Sequence, residues 1–170
     1  MKKLIVASAM AMAMTSGSAM ASQGEIEFFG NVTAQTCDIE AEVNGAVNKI
    51  IQLGTATVNG EANPVDFVLK AKDPAACTEA DKLGAHVTWA GNLTTDGIGN
   101  QNGSAVGAHV ELKAKNAKTG FDKPVSNAVT MIEFEQGKLA GDGLQFTAQL
   151  KGGATAGDYL SAVAYAVTYQ

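Results

Sequence analysis

The sequence predicts an all-β sandwich in a single domain. Three observations carry that prediction. Apolar residues recur at every second position along most of the chain, Gly-, Asn- and Asp-rich pairs interrupt it at short intervals, and the cysteines number only two.

Residues 1–21 read as a secretory signal peptide rather than as part of that domain. Lys2 and Lys3 precede an apolar run from Leu4 to Met14, and Ala19-Met20-Ala21 supplies the small-x-small pattern of a cleavage site. A membrane span needs about 20 apolar residues, and here Thr15, Ser16, Gly17 and Ser18 end the run early. Cleavage after Ala21 leaves residues 22–170, which are 149 of the 170 and enough for one domain with a core of its own. Loss of the two lysines moves the net charge from −5 to −7. So acidic a chain has no general electrostatic reason to bind nucleic acid. In an exported protein, Cys37 and Cys77 are expected to pair as a disulfide, because zinc would want four ligands and His86 and His109 are the only histidines.

Alternation predicts strands over residues 25–35, 48–53, 64–70, 85–90, 107–115, 128–134, 144–150 and 159–169. Asn59-Gly60, Asp96-Gly97, Asn102-Gly103 and Gly141-Asp142-Gly143 mark reversals, since these residues accept positive φ or bond their own backbone. Seven or eight short strands so punctuated argue for a sandwich. Residues 37–47 have no clean period. Residues 73–83 suit a short helix with Pro74 near its first position, and residues 91–107 read as one long surface loop.

The two ends are unlike ordinary ends, which are polar and poorly tied down. Ile26, Phe28 and Val32 lie close behind the cleavage site, and residues 159–170 are apolar on both faces, as in a central strand that needs a neighbour on each side. Such a strand at the end of the chain leaves an edge to be covered. Donation of the N-terminal strand to another copy meets that need. The backbone ladder would give affinity, and the alternate positions Gly24, Ile26, Phe28, Gly30 and Val32 would face the recipient's core.

The spacing Gly24-x-Ile26-x-Phe28-x-Gly30-x-Val32, Cys37 soon after it, Cys77 forty residues on, Gly157 fourteenth from the end and the penultimate Tyr169 together resemble the major subunits of chaperone–usher fimbriae, the type-1 pilin-like family. Glu42-Val43-Asn44-Gly45, Ile51-Gln52-Leu53-Gly54 and Val65-Asp66-Phe67 are similar to enterobacterial gut-colonisation fimbriae within it. The resemblance implies an incomplete immunoglobulin-like sandwich over residues 33–170, lacking its final strand and completed by donor-strand exchange, with residues 22–32 as the donor. It implies a periplasmic chaperone that fills the gap first, an outer-membrane usher where the exchange occurs, copies of the chain itself in a fibre at the cell surface, and minor tip or adhesin subunits. On it, the acceptor groove runs beside Gly157, Tyr159, Val163, Tyr165, Val167 and Tyr169, and the carboxylate of Gln170 anchors a basic chaperone residue. Tip adhesins of such systems carry an additional N-terminal domain for which this chain is too short, so a shaft subunit is expected.

No catalytic constellation is expected. His86 and His109 both sit in strand-like alternation, the ordinary place of a surface or half-buried histidine. Asp96, Asn100 and Asn102 lack the glycine and terminal glutamate of an EF-hand loop, so neither a metal nor another cofactor is expected. Lys113, Lys115, Lys118 and Lys123 are concentrated for so acidic a chain. They read as a solvated strand face, with a receptor patch for acidic host glycans as the alternative. The competing functions are that the subunit is itself the adhesin, or that it is a secreted lectin-like sandwich that forms no polymer.

Overall fold

A computed structural model of the chain describes residues 37–119 and 123–170. The signal segment, the expected strand over residues 25–35 and the donor positions Gly24, Ile26, Phe28, Gly30 and Val32 lie outside the described residues, all of which belong to one compact unit, Asn31–Gln170.

The first described element is a hairpin that periodicity misses. Strand β1 (Ile39–Val43) pairs with β2 (Ala46–Val47) in the register Val43↔Ala46. The two residues between them, Asn44 at φ 52° and Gly45 at φ 77°, are left-handed, which suits the right-handed twist of the flanking strands. The pattern is weak because all five β1 side chains are half-buried, so no apolar–polar alternation marks the strand. Residues 48–53, expected to be a strand, keep Ile51 and Leu53 packed against the core but pair with no described strand.

Strand β3 (Val65–Ala71) buries Phe67, Leu69 and Ala71 and turns Val68 and Lys70 outward. Helix α1 (Thr78–Asp81) is a single turn. Pro74 is not at its first position; it follows Asp73, whose side chain accepts from the N–H of Ala75 at 3.0 Å and so folds the chain before the helix begins. Then come β4 (Ala85–Gly91), β5 (Ile98–Gly99), β6 (His109–Ala114), β7 (Met131–Phe134), β8 (Leu144–Lys151) and β9 (Val163–Tyr169). The expected long loop thus contains β5, which pairs with β6 through Ile98↔Val110. The last strand begins at Val163 rather than at residue 159.

All the strand pairs are antiparallel. Among the described residues, six strands in the order β2-β1-β3-β8-β6-β5 face three in the order β7-β4-β9. Among the described residues, strand β9 pairs with β4 alone. The inward residues meet in an aromatic centre: Phe146 stacks on Phe67 at 5.3 Å and takes Trp89 and Phe134 edge-on at 5.3 and 5.5 Å. Each such side chain, moved from water to this interior, contributes about 1.5–3 kcal/mol before ordering costs.

The cysteines are bonded, with Cα atoms 5.0 Å apart. The bridge ties Cys37, two residues ahead of β1, to the residue just ahead of α1, and Cys77 is fully buried. Asp81, at the end of α1, holds the far loop: its carboxylate accepts from the N–H groups of Leu139 at 2.9 Å and Ala140 at 3.1 Å, and its carbonyl accepts from Gly137 at 2.8 Å.

Candidate functional site: a groove between the sheets

A groove of about 1500 Å³ opens between the two sheets. Its floor includes Phe67, Leu69, Trp89, Ile98, Leu112 and Leu150, inward side chains from both sheets. That volume exceeds the roughly 300–1,000 Å³ of small-molecule sites. Around it stand apolar side chains that ought to be covered: Val47, Ile50, Val58 and Leu160 are 54%, 70%, 47% and 59% exposed. Clustered exposure of this kind marks an interaction surface.

The walls are as informative as the floor. One is the stretch over residues 48–58. The N–H of Asn48 reaches the carbonyl of Ala41, the N–H of Ile50 is taken by the Asn48 side chain, and the carbonyl of Thr57 accepts from Gly60. Over residues 51–56, by contrast, no backbone hydrogen bond is made among the described residues. Backbone donors and acceptors are obligatory hydrogen-bonding groups, and among the described residues this middle part of the wall is held by the packing of Ile51 and Leu53 on the core. The opposite wall is built from residues 152–163 and the start of β9.

Asn100 positions that second wall. Its amide donates to the carbonyls of Ala105 at 2.9 Å and Asp158 at 3.1 Å, and its oxygen accepts from the N–H groups of Gly103 and Leu160, both at 3.0 Å. An Asn weighed as a cation ligand is thus fully engaged in joining two loops. Among the described residues no group of three His, Cys, Asp or Glu side chains is arranged to hold a metal ion.

Of the residues expected along the groove, Gly157, Tyr159, Val163 and Tyr165 line it, while Val167, Tyr169 and Gln170 lie beyond its end. Val167 and Tyr169 pack against the core opposite Val87 and Ala85. Gln170 and Gly84 exchange two backbone hydrogen bonds of 3.0 and 2.9 Å, so the last residue is fastened to the start of β4. The Tyr159 hydroxyl donates to the Ile98 carbonyl at 3.0 Å, and the Tyr165 hydroxyl donates across the groove to Ile39 at 3.2 Å.

The role of Gly157 is steric. A Cβ there would stand 2.3 Å from Ser104 Oγ and 2.7 Å from the Ala105 nitrogen. Gly157→Ala is expected to lower stability by about 1–3 kcal/mol through overpacking, read from the urea midpoint. An unchanged midpoint would mean that the wall gives way freely.

Burial raises the phenol pKa of Tyr159, Tyr165 and Tyr169, the last to about 12. A raised folded pKa means that stability is fully present below the unfolded value of about 10 and is lost as pH rises through the folded one. Thermal melts should therefore fall between pH 10 and 12. Since the buried Tyr169 hydroxyl has no partner among the described residues, Tyr169→Phe should flatten that fall at little cost at pH 7; a fall equally steep in the variant would assign it elsewhere.

The lysines do not form a free basic patch. Lys113 binds Glu111, Lys115 meets Asp66 at 2.5 Å, and Lys118 meets Glu133 at 2.8 Å. These bonds draw the carboxyls of Glu111 and Glu133 below their ordinary range. Lys123 adjoins residues outside the described set. His86 and His109 occupy half-buried strand positions flanked by the inward Ala85 and Val87 and by Ala108 and Val110, and the His109 ring lies 3.4 Å from the Gly107 carbonyl.

The geometry defines a class first: a disulfide-stapled all-β protein of two facing sheets, consistent with an immunoglobulin-like sandwich, with an apolar groove between them. No family model matches the chain. It is 44% identical over 172 residues to the F107 fimbrial protein of Escherichia coli and 32% identical over 182 residues to the K99 fimbrial protein of the same organism, with essentially all of each chain covered. Among solved structures it is similar to the P pilus rod subunit PapA, at 16% identity and a TM-score of 0.48, covering 85% of this chain and all of that one. The chain belongs to the family of enterobacterial fimbrial subunits. It is a structural, non-enzymatic component of a surface fimbrium, as the resemblance read from its N- and C-terminal motifs implied.

Proposed function

We propose that the chain is a major shaft subunit that polymerises by strand donation. After removal of residues 1–21, residues 24–32 of one copy enter the groove of the next, with Ile26, Phe28 and Val32 directed at its floor. The observation that supports this most strongly is the pairing of an apolar groove with two flanks that bond no strand among the described residues, the backbone over residues 51–56 and the outer side of β9 near Val163 and Tyr165. A strand laid between them gains a ladder on each side and buries Val47, Ile50, Val58 and Leu160. A small ligand would leave those backbone groups unmet. During export the same groove is covered by a periplasmic chaperone, whose strand is exchanged at an outer-membrane usher, and a separate tip subunit completes the fibre and contacts the host.

Deleting residues 22–30 behind an intact signal peptide tests the proposal. The truncated subunit should still co-purify with the chaperone, because its groove is intact, yet fail to form fibres visible by electron microscopy. Normal fibres from the truncated subunit would exclude residues 24–32 as the donor.

A further inference from the structure

We propose that Asn44 is a site of spontaneous covalent modification, at which the β1–β2 turn converts to an aspartyl or β-aspartyl linkage as the subunit ages. The proposal stands on the hairpin and does not depend on strand donation. The chemistry needs an asparagine followed by a residue whose backbone nitrogen can attack it. That nitrogen gives its proton to hydroxide and bonds to the side-chain amide carbon, and ammonia leaves as a five-membered imide closes. Water then opens the imide at either of its two ring C–N bonds, giving aspartate or its β-linked isomer. Glycine is the most permissive following residue, because it has no side chain to hinder the ring.

Three Asn-Gly pairs occur in the sequence: Asn44-Gly45, Asn59-Gly60 and Asn102-Gly103. All three asparagines are exposed. Local conformation does not separate the first two, since Asn44 and Asn59 share a left-handed φ of 52° and 54°. The state of the glycine nitrogen separates all three. The N–H of Gly60 donates to the Thr57 carbonyl at 2.9 Å, and that of Gly103 to the Asn100 side-chain oxygen at 3.0 Å. Both glycines are also boxed in, because a Cβ on Gly60 would overlap the Thr57 hydroxyl and one on Gly103 the Asp158 carbonyl. The Gly45 N–H has no hydrogen-bond partner among the described residues, and nothing stands within 4 Å of where a Cβ on that exposed glycine would be. An amide N–H must be free of its bond before base can take its proton, the requirement that also governs hydrogen exchange. Of the three pairs, only Asn44-Gly45 meets it without opening.

The turn can also move while the ring closes. Strand β2 is two residues long, both exposed, and it ends its sheet among the described residues. The β-linked product lengthens the main chain of the turn by one carbon. A two-residue turn so lengthened no longer matches the Val43↔Ala46 register, and the change falls close to Val47 and Asn48, which line the groove.

Fimbriae purified from producing cells and stored in mildly alkaline buffer test the assignment. Peptide mapping by mass spectrometry follows the loss of the side-chain amide at each of the three pairs over several weeks. The expected result is modification of Asn44 at least about tenfold faster than of Asn59 or Asn102. The same chain, reduced and unfolded in urea, serves as the reference. There the glycine nitrogens are equally free, so the three rates should draw together. No modification at Asn44, equal rates at the three pairs in the fimbriae, or a faster rate at Asn59 or Asn102 overturns the proposal. An undiminished preference for Asn44 in urea overturns it as well, since the cause would then lie in the flanking sequence and not in the fold.

Discussion

A chain in which residues 22–36 are repeated after Gln170, behind a short flexible linker, should melt about 10–30 °C higher than the same chain without the added strand. The magnitude follows from the groove. Ile26, Phe28 and Val32 would each contribute about 1.5–3 kcal/mol on burial, and in a domain of this size 1 kcal/mol moves the melting temperature by about 2–4 °C. The linker starts from a fixed point, because Gln170 is fastened to Gly84 by two backbone hydrogen bonds. The appended strand then turns and runs back along β9 toward Tyr165 and Val163, where the groove lies. A control carrying Asp in place of Ile26, Phe28 and Val32 in the repeat alone should show no gain. Equal gains from both tails would point to a nonspecific effect of the extension and remove the case for a missing strand.

The second large effect concerns the disulfide. Joint replacement of Cys37 and Cys77 by Ala should cost about 4 kcal/mol, the chain-entropy value for a loop of 40 residues, and so lower the melting temperature by about 8–16 °C. Two features of this fold make the loss large. The closed loop contains β1, β2 and β3, so the unfolded chain gains freedom across three of the six strands in the larger sheet. The stretch over residues 51–56, inside that loop, makes no backbone hydrogen bond among the described residues to hold it against the core. Urea unfolding of the double variant measures the cost. A loss below about 1 kcal/mol would mean that the β1–β3 ladder alone holds this part of the sheet.

Much of the architecture was legible because the sandwich is two-sided. Strands β3, β4, β6 and β8 each place one face inward, and their alternation appears directly in the residues. Legibility failed where that contrast is absent. The β1–β2 hairpin shows no alternation, β1 being half-buried along its length and β2 exposed, and is specified by Asn44-Gly45, a turn signal rather than a period. Residues 48–53 have the period of a strand but pair with none among the described residues, because alternation records which side chains face inward and says nothing of what the backbone bonds. The apolar ends announced that something was to be covered, but the groove's location along β9 required the fold. Only the three-dimensional packing shows that Val163 and Tyr165 line it. The ion pairs of the lysine cluster were not legible for a related reason. Its partners Asp66 and Glu133 are distant in sequence and reach it only across β8 and between the sheets.

The position of Cys37 also bears on how a fibre of these subunits carries tension. On the strand-donation reading, a pull on the neighbour arrives at this subunit through the backbone just before residue 37. It does not have to peel β1 from β3 one hydrogen bond at a time, because the bridge passes the force to Cys77. From there the route is short: through α1 into β4, then sideways across the seven-residue β4–β9 register, from Ala85↔Tyr169 to Gly91↔Val163, to the strand against which the next donor lies. The larger sheet stands off this line. A stretched fibre would load the smaller sheet in shear while β1, β2 and β3 bear almost none of the force, so the bridge is a mechanical shunt as well as a staple.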